Sequence, residues 1–313
     1  MKCRLKQILF FLTLFSFSSC FLVAAKAKKE SPKEKIVIIG SSAAASGAMK
    51  TLTKKANLKK YSITCITKST LAPYNTCRIY KLLEEKAQLS AMTLLEDDFF
   101  EKKNITYIEN DLVQSLDTKK NELQTKSGKT VFYDKLLIAS GASAKIAPEF
   151  EPHMAKGVFS YYTAEDVQSI LSYIKENNVQ TVAIAGCDIT GLECATSIYN
   201  SKPQLKMILV NRRDHVLPKV VNKKAASIVE ASIKQKGVIL YNDSQVTACT
   251  VEDNKLKQIS LNNTTDIPCD LLILTMGMKP NTEFLQNTPV ETDQGFIVVD
   301  NTFKTSVDNI WAA

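Results

Sequence analysis

The chain has 313 residues and a formal net charge of +8, with hydrophobic residues at 45% and charged residues at 23%. Its length is enough for two domains, each with its own core, and its composition excludes extended disorder and a polytopic membrane protein. The charge does not indicate nucleic acid, because residues 1–35 alone carry a surplus of six positive charges and no basic stripe with interleaved aromatics follows. We therefore expect a compact protein with no nucleic-acid partner.

The first 34 residues are typical of a targeting segment with a polar linker. Basic residues within 2–6 precede a mostly apolar run over 8–23, and small residues then lead into a Lys-rich stretch. The run is short for a membrane span, which needs about 20 residues. We expect a cleaved signal peptide, or alternatively a membrane anchor or a lipid-modified Cys20. Each alternative predicts an exported, extracytoplasmic or membrane-anchored protein.

Cysteine usage leaves disulfides open and argues against a metal site. An exported chain with an even number of cysteines permits disulfides, but a body of this size does not require them. No CxxC pair and no zinc-like spacing occurs, so we expect no metal. Beyond the leader the cysteines are Cys65, Cys77, Cys187, Cys194, Cys249 and Cys269.

A strand–helix–strand pattern occurs twice. The β-branched run at 35–39 ends at Gly40, a helix is predicted over 41–58, and a second strand over 61–67. The same order returns as a strand at 179–185, a helix at 186–200 and a strand at 205–210. The pattern predicts an α/β protein with two βαβ units.

Shorter strands follow each unit and are expected to form small antiparallel insertions. After the first unit, 105–109, 122–125 and 130–138 have strand character, with a turn at 126–129. After the second unit the candidates are 238–241, 247–251, 259–262 and 271–275.

The turn of the first unit is Gly40-Ser41-Ser42-Ala43-Ala44-Ala45. Such a turn lets a pyrophosphate approach the backbone N–H groups at a helix N-terminus, and Ser and Ala are small enough for that approach. The alternative is a purely structural helix cap. Thr67 or Lys68 stands where an acidic residue usually bonds a ribose hydroxyl.

The turn of the second unit keeps Gly186 and Gly191 but carries Asp188 between them. A carboxylate about 4 Å from a phosphate charge costs roughly 1–4 kcal/mol at effective dielectrics of 80 to 20, so Asp188 opposes nucleotide binding. The following strand ends in Arg212-Arg213, which suits the 2′-phosphate of NADPH rather than NADH, unless the arginines only solvate a loop.

Several colinear segments resemble one family. They are the turn at 40–45, the segments APYNTCRIYKLL at 72–83 and YDKLLIASGA at 133–142, the Gly191-Leu192-Glu193 triplet, and TMGMKPNT at 275–282. From Lys35 to Ala313 the chain resembles the FAD-dependent pyridine nucleotide-disulfide oxidoreductases, closest to the branch of CoA-disulfide reductases, NADH oxidases and rubredoxin reductases.

The resemblance implies a fold, cofactors and boundaries. It implies two Rossmann-like three-layer domains, with an NAD(P)-binding-like domain at 147–269 inserted into an FAD-binding-like domain formed by 35–146 and 270–313. It also implies FAD and NAD(P)H as cofactors. The residues expected beside these two cofactors are Gly40, Ser42, Ala45, Gly141, Gly186, Gly191, Arg212, Arg213 and Gly277.

The resemblance also implies catalytic residues. Lys81 and Glu193 match a Lys and a Glu that face each other near the flavin and nicotinamide rings. Cys77 falls where some members carry a single redox cysteine, although Arg78-Ile79-Tyr80 replaces the Gly-Leu-Pro that follows it there. A cysteine beside a flavin can act as a thiolate, a mixed disulfide or a sulfenic acid. The alternative is a small buried hydrophobic residue.

Two functions are open at this point. The first is an oxidoreductase that passes electrons from NAD(P)H through FAD to a disulfide, oxygen or a redox protein. The second is a non-catalytic relative that binds or interacts. The family continues past its equivalent of residues 310–313 into Gly-Asp, whose Asp bonds FAD, and into a dimerisation domain. We therefore expect either a fragment or a diverged relative.

Overall fold

The computed structural model describes residues 32–55 and 58–313. Residues 1–31 of the expected targeting segment, including Cys20, lie outside the described residues, and Glu34, the last residue of its expected linker, begins the first strand. The helices are α1 (Ala43–Lys55), α2 (Ile79–Leu83), α3 (Phe99–Lys102), α4 (Ala164–Glu176), α5 (Ile189–Ser201) and α6 (Lys223–Gln235). Short 3-10 turns occur at Thr76–Arg78, Leu89–Met92, Glu151–His153 and Glu283–Leu285.

The strands fall into two parallel sheets and several small antiparallel ones. In chain order they are β1 (Glu34–Ile39), β2 (Tyr61–Ile66), β3 (Ile105–Ile108), β4 (Val113–Asp117), β5 (Glu122–Thr125), β6 (Thr130–Phe132), β7 (Lys135–Ile138), β8 (Ala142–Ala144), β9 (Val158–Ser160), β10 (Thr181–Ala185), β11 (Lys206–Val210), β12 (Ile239–Tyr241), β13 (Val246–Glu252), β14 (Lys255–Leu261), β15 (Thr265–Pro268), β16 (Leu271–Leu274), β17 (Met278–Pro280), β18 (Thr292–Asp293), β19 (Phe296–Ile297) and β20 (Ile310–Ala312).

The first sheet has the strand order β20-β7-β1-β2-β3, with every pair parallel. β1 lies at its centre, where Val37 and Ile38 are almost completely buried on opposite faces. A continuous apolar run is what a parallel strand covered on both faces requires. The first predicted βαβ unit is therefore confirmed, with α1 crossing between β1 and β2.

The second sheet has the order β12-β11-β10-β16-β9 and is also parallel throughout. β10, α5 and β11 form the second predicted βαβ unit. Antiparallel sheets β4-β5-β6 and β13-β14-β15 accompany the first and second sheets respectively.

One sheet unit is inserted into the other. The chain leaves the first unit after β8 and returns at β17, and these two strands pair antiparallel, with Ala144 opposite Met278 and Ala142 opposite Pro280. The last strand of the first sheet, β20, then follows. The predicted α/β architecture, with one dinucleotide-type unit inside another, is confirmed.

Four strand predictions needed correction. Residues 105–109 do not belong to an antiparallel insertion, because β3 pairs parallel with β2 in the first sheet. The same is true of residues 238–241 and 271–275, because β12 and β16 pair parallel in the second sheet. β16 has four fully buried residues in sequence, the signature of a parallel strand. Its pairing assigns it to the second sheet, whereas the expected boundary at residue 270 would assign it to the first unit.

The fourth correction concerns residues 130–138, which divide into β6 and β7 in different sheets. The chain changes partners between them: Tyr133 N–H donates to Asn121 O, whereas Asp134 N–H donates to Lys35 O. The bend between β6 and β7 consists of two residues only, Tyr133 and Asp134, which are too few to mark a turn in the sequence.

A shared core joins the two units. The helical face of the second sheet packs together with Tyr74, Leu82 and Leu83, which belong to the segment after β2. α2 contacts both α4 and α5. The residues that carry the 72–83 motif are thus held against the inserted unit by apolar packing, which is the dominant favourable term in folding.

None of the helices within 32–55 and 58–313 is long and apolar enough to cross a membrane.

Gly191 is expected to be essential for packing in the second unit. A Cβ added there would lie 2.0 Å from Gly186 O, a backbone atom that cannot move aside. Gly191→Ala should lower the free energy of unfolding by about 2 kcal/mol or more. The matched control is Gly47→Ala in α1, where a Cβ meets nothing within 4 Å; it should gain about 0.5–1 kcal/mol from helix propensity. Urea denaturation of both variants measures the difference, and equal stabilities would contradict this account.

Candidate nucleotide-binding site

A cavity of about 950 Å³ opens at the carboxyl ends of β1, β2 and β7. Gly40, Thr67 and Ser140 line it, each coming directly or almost directly after one of these strands. Ligands of open parallel sheets bind in this position, outside the carboxyl ends of the strands. The volume is within the range of pockets that hold large ligands, about 300–1,000 Å³.

The turn after β1 is pressed against the end of the neighbouring strand. Gly40 has a φ of +101°, and a Cβ there would lie 2.0 Å from Ala139 O. Its N–H donates to Ile66 O at 2.7 Å, and the buried Ser41 donates from Oγ to Thr67 Oγ1 at 3.0 Å. These contacts hold Ser42, which lines the cavity, at the N-terminus of α1. Unpaired N–H groups at such an end favour an anion.

Another part of the cavity lining is a polar network. Lys68 Nζ donates to Ser143 Oγ at 2.9 Å, and Ser143 Oγ donates to Asn281 Oδ1 at 2.7 Å. Asn281 Nδ2 donates to Ser140 O at 2.9 Å, and Ser140 Oγ donates to Asn281 O at 2.8 Å. The network connects the two crossing segments, which are the segment around β8, where the chain leaves the first unit, and the segment around β17, where it returns.

Tyr74 and Glu165 form the end of the cavity that faces the inserted unit. The Tyr74 hydroxyl accepts from Ala164 N–H, in the first turn of α4, at 2.8 Å and lies 3.4 Å from Glu165 Oε2. Burial raises the pKa of Tyr74 to about 12. Thr163 caps α4 with a capping box completed by Asp166, so this helix end is fixed beside the cavity.

The structure brings Gly40, Ser42 and Gly141 together around the cavity, as the sequence predicts. Ala45 does not line it: the residue is fully buried in the core between α1 and the first sheet. Its small side chain serves helix–sheet packing, which requires a small residue at this position of such turns. Gly277, with a φ of +97°, lies beside β17 and outside the lining.

The second glycine turn has the backbone that the sequence predicts. Gly186 has a φ of +123°, and a Cβ there would lie 2.5 Å from Thr275 Oγ1. Thr275 Oγ1 donates to Ala185 O at 3.0 Å, which fixes the end of β16 against this turn. Gly186 and Gly191 therefore act through close packing of strand, turn and helix.

Polar groups beside this turn are less favourable to a nucleotide. Asp188 is exposed and occupies the N-cap position of α5, but its side chain makes no capping hydrogen bond. Its carboxylate is thus a free negative charge at the helix end. Arg212 and Arg213 are exposed after β11. Before them, buried Asn211 replaces the usual acid, and its amide donates to Asn242 Oδ1 at 2.8 Å.

Cys77 is exposed, so the alternative of a small buried hydrophobic residue is wrong. It lies in the turn Thr76–Arg78, where its N–H donates to Asn75 Oδ1 at 3.1 Å. Thr76 lines the cavity. Burial, and then the proximity of Cys77, raises the pKa of Tyr162, another lining residue. Cys77 itself does not line the cavity but is exposed next to Thr76, which does.

Lys81 and Glu193 lie on α2 and α5, which pack against each other. No ion pair between them occurs among the ion pairs of the described residues. Lys81 Nζ lies instead 5.9 Å from the centre of the Tyr80 ring. Glu193 is half-buried, and burial raises the pKa of its carboxyl. The two residues share a helix interface but do not neutralise each other.

Glu165 and Asn281 are among the lining residues to which the sequence assigned no role. Both belong to segments that resemble the family. Glu165 lies within a Thr-x-x-Asp capping signal, which indicates a helix start but not its proximity to the cavity. Asn281 comes within the 275–282 segment, and only the pairing of β17 with β8 brings it to the cavity.

The cysteines beyond the leader are all free thiols in the part of the chain that is described. Within the same ranges no group of three or more His, Cys, Asp or Glu side chains could hold a metal ion.

The family model for pyridine nucleotide-disulphide oxidoreductases matches residues 34–313. The chain belongs to this family. It is 25% identical over 280 residues to the assimilatory nitrate reductase electron transfer subunit of Bacillus subtilis, covering 90% of this chain. It is 29% identical over 296 residues to an NADH oxidase of Methanocaldococcus jannaschii, covering 88% of this chain.

A solved structure, the covalent putidaredoxin reductase–putidaredoxin complex, has a TM-score of 0.81 at 21% identity over 90% of this chain and 67% of its own. That likeness shows the fold. The chain spans 35% of the length of the B. subtilis relative and 61% of the archaeal one. The family resemblance drawn from the sequence motifs is confirmed.

Glu193 should affect stability in a pH-dependent way. Burial raises the pKa of Glu193 in the folded state above the ordinary value of 4.5. The stability that Glu193 contributes is therefore fully present below pH 4.5 and is lost as the pH rises through the folded-state pKa. Glu193→Gln should therefore be more stable than the wild-type chain at pH 7, with the gap closing toward pH 4. Thermal melts across this range measure the gap, with Glu176→Gln, at the end of α4, as a control. A gap that widens on acidification would contradict the assignment.

Proposed function

We propose that this chain forms the two nucleotide-binding units of an NAD(P)H-dependent flavoprotein oxidoreductase. The first cavity would hold FAD, the second unit would present NAD(P)H, and electrons would pass to a disulfide, oxygen or a redox protein. The observation that carries this proposal is the glycine turn over the cavity of about 950 Å³ at the carboxyl ends of β1, β2 and β7. Membership of the family supports it.

The residues at the first cavity fit a flavin dinucleotide. The position of Gly40 admits no Cβ, so the turn lies close enough to the sheet for a pyrophosphate to reach the N-terminus of α1. Ser42 and Gly141 would flank the phosphates, and Tyr74 and Thr76 lie at the end nearest α2 and α4. Bound there, FAD supplies two-electron chemistry between nicotinamide and acceptor.

Side chains near the inserted unit would serve the transfer. Glu193 and Lys81 lie on packed helices, where a bound nicotinamide could bring the carboxylate and ammonium together. Cys77, exposed next to Thr76, is accessible to a small disulfide acceptor. Arg212 and Arg213 favour NADPH over NADH, because paired guanidinium groups match a 2′-phosphate.

The acceptor and the cellular location belong to the same proposal. A redox-protein acceptor is supported by the likeness to a reductase solved with putidaredoxin. Residues 1–34 would export the protein or tether it to a membrane, as the basic, apolar and Lys-rich order of this segment favours. The divisions after β8 and before β17 would separate FAD-type and NAD(P)-type units.

FAD retention tests the proposal. The purified chain, reconstituted with FAD and gel-filtered, should keep flavin with visible absorbance. Ser42→Asp should abolish retention, because its carboxylate would face the pyrophosphate. Thr51→Asp is the control, since it adds the same charge to an exposed position of α1 outside the cavity. A wild-type chain that keeps no FAD, or a Ser42→Asp variant that keeps it fully, would refute this assignment.

A second candidate is a non-catalytic relative that uses the scaffold for binding. The uncapped carboxylate of Asp188 at the N-terminus of α5 favours it, because that charge opposes a pyrophosphate. Under this alternative, the FAD-loaded chain would not oxidise NADPH even with an artificial acceptor.

Asp188→Gly should show whether this carboxylate opposes nucleotide binding at the second turn. Removal of the carboxylate should lower the Kd for NADPH by about tenfold or more, since 1.4 kcal/mol corresponds to a factor of ten. Thr190→Gly is the control, because this exposed neighbour in the same turn is uncharged. Isothermal titration provides both constants. An unchanged Kd would mean that nucleotide does not bind over α5.

A further inference from the structure

We infer that Lys68, beside the β8–β17 pair, gives the first cavity a position for an additional phosphate, so that the cavity prefers an adenine nucleotide with such a phosphate on its ribose. The inference rests on the proposed role of this cavity as a nucleotide site. It goes beyond FAD, whose adenosine ribose carries no such phosphate.

Lys68 stands where the ribose of a bound nucleotide would be. It follows β2 by two residues and lines the cavity beside the β8–β17 pair, where its Nζ contacts Ser143. In dinucleotide folds an acid after the second strand bonds the ribose hydroxyls, and a cation in that region accepts a ribose phosphate. The structure has an ammonium there.

The ammonium is positioned by the protein. Lys68 Nζ donates to Ser143 Oγ, and Ser143 is fixed in turn by Asn281. Because Ser143 and Asn281 belong to the crossing segments, the anchor is the polar wall of the cavity. One donor bond leaves further Nζ protons for a ligand, since an ammonium has three.

Thr67 cannot replace the acid that usually accepts hydrogen bonds from the ribose hydroxyls. It is buried, and its Oγ1 already accepts from Ser41 Oγ at 3.0 Å and from Ser69 N–H at 3.2 Å. The hydroxyl is therefore part of the turn that supports Gly40. The side chain after β2 that reaches the ligand is that of Lys68.

Each carboxylate that lines the cavity already has other partners. Asp111 accepts from Ser127 N–H at 3.1 Å and from Ser127 Oγ at 2.6 Å. Glu165 lies 3.3 Å from Ser69 Oγ and 3.4 Å from the Tyr74 hydroxyl.

The third carboxylate, Glu283, pairs with Lys279 at 3.3 Å. The pKa of Glu283 is lowered first by its own backbone N–H, then by Lys279, with a smaller effect of Lys68. Lys68 itself is in no carboxylate ion pair among those of the described residues, and its charge is available to a ligand.

The charge predicts a measurable preference between matched ligands. Adenosine 5′-monophosphate, adenosine 2′,5′-bisphosphate and adenosine 3′,5′-bisphosphate differ only in the ribose phosphate. Titrations should use the chain with Arg212→Gln and Arg213→Gln, since those arginines offer a second phosphate-accepting position. At least one bisphosphate should bind about tenfold or more tightly than the monophosphate, and less so as salt rises.

Two variants in that background locate the preference. Lys68→Met should abolish it, whereas Lys60→Met, which removes an exposed charge outside the cavity, should leave it intact. The preferred bisphosphate should also compete with FAD. Whether the 2′- or the 3′-phosphate is favoured identifies the class of natural ligand.

Two results in the Arg212→Gln and Arg213→Gln background would overturn the inference. Either both bisphosphates bind within about twofold of the monophosphate, or a preference for a bisphosphate survives Lys68→Met. A preference that is measured only when both arginines are present would likewise overturn it. Failure of the FAD proposal gives a different result: FAD would not bind, while the ribose-phosphate preference and its loss in Lys68→Met would still be measured. In that case Ser42→Asp should weaken the bisphosphate, and an unchanged affinity would exclude this cavity as its site.

Discussion

The whole arrangement depends on the contact between each glycine turn and the end of the adjacent strand. Gly40 approaches Ala139, and Gly186 approaches Thr275, so closely that no side chain fits between them. These contacts allow a helix to begin directly over the sheet edge, where its free N–H groups define a place for an anion. The first cavity follows from this geometry.

The two turns have the same backbone design but different electrostatics. The first is flanked by the ammonium of Lys68, and the second has the exposed carboxylate of Asp188 at its helix end. One βαβ design can thus attract or repel a phosphate through one side chain near the turn.

The sequence predicted what is local. Strands with continuous apolar runs and the two βαβ units follow from composition and spacing. It did not predict what depends on tertiary contacts. Ala45 belongs to a core and not to the cavity, and Lys81 and Glu193 share an interface without pairing. Nor does any pattern at Lys68 reveal Ser143 and Asn281, which lie far along the chain and approach only through the β8–β17 pair.

That pair makes the inserted unit a potential cassette. Its entry and exit strands lie side by side, with Ala144 opposite Met278, so a tight hairpin between them would close the chain without displacing the first sheet. Removal would also expose the apolar side of Leu82 and Leu83, which the inserted unit covers. A unit taken from a relative would therefore have to pack against α2 as well as join the two chain ends. The 72–83 segment thus limits which inserted units the first unit can accept.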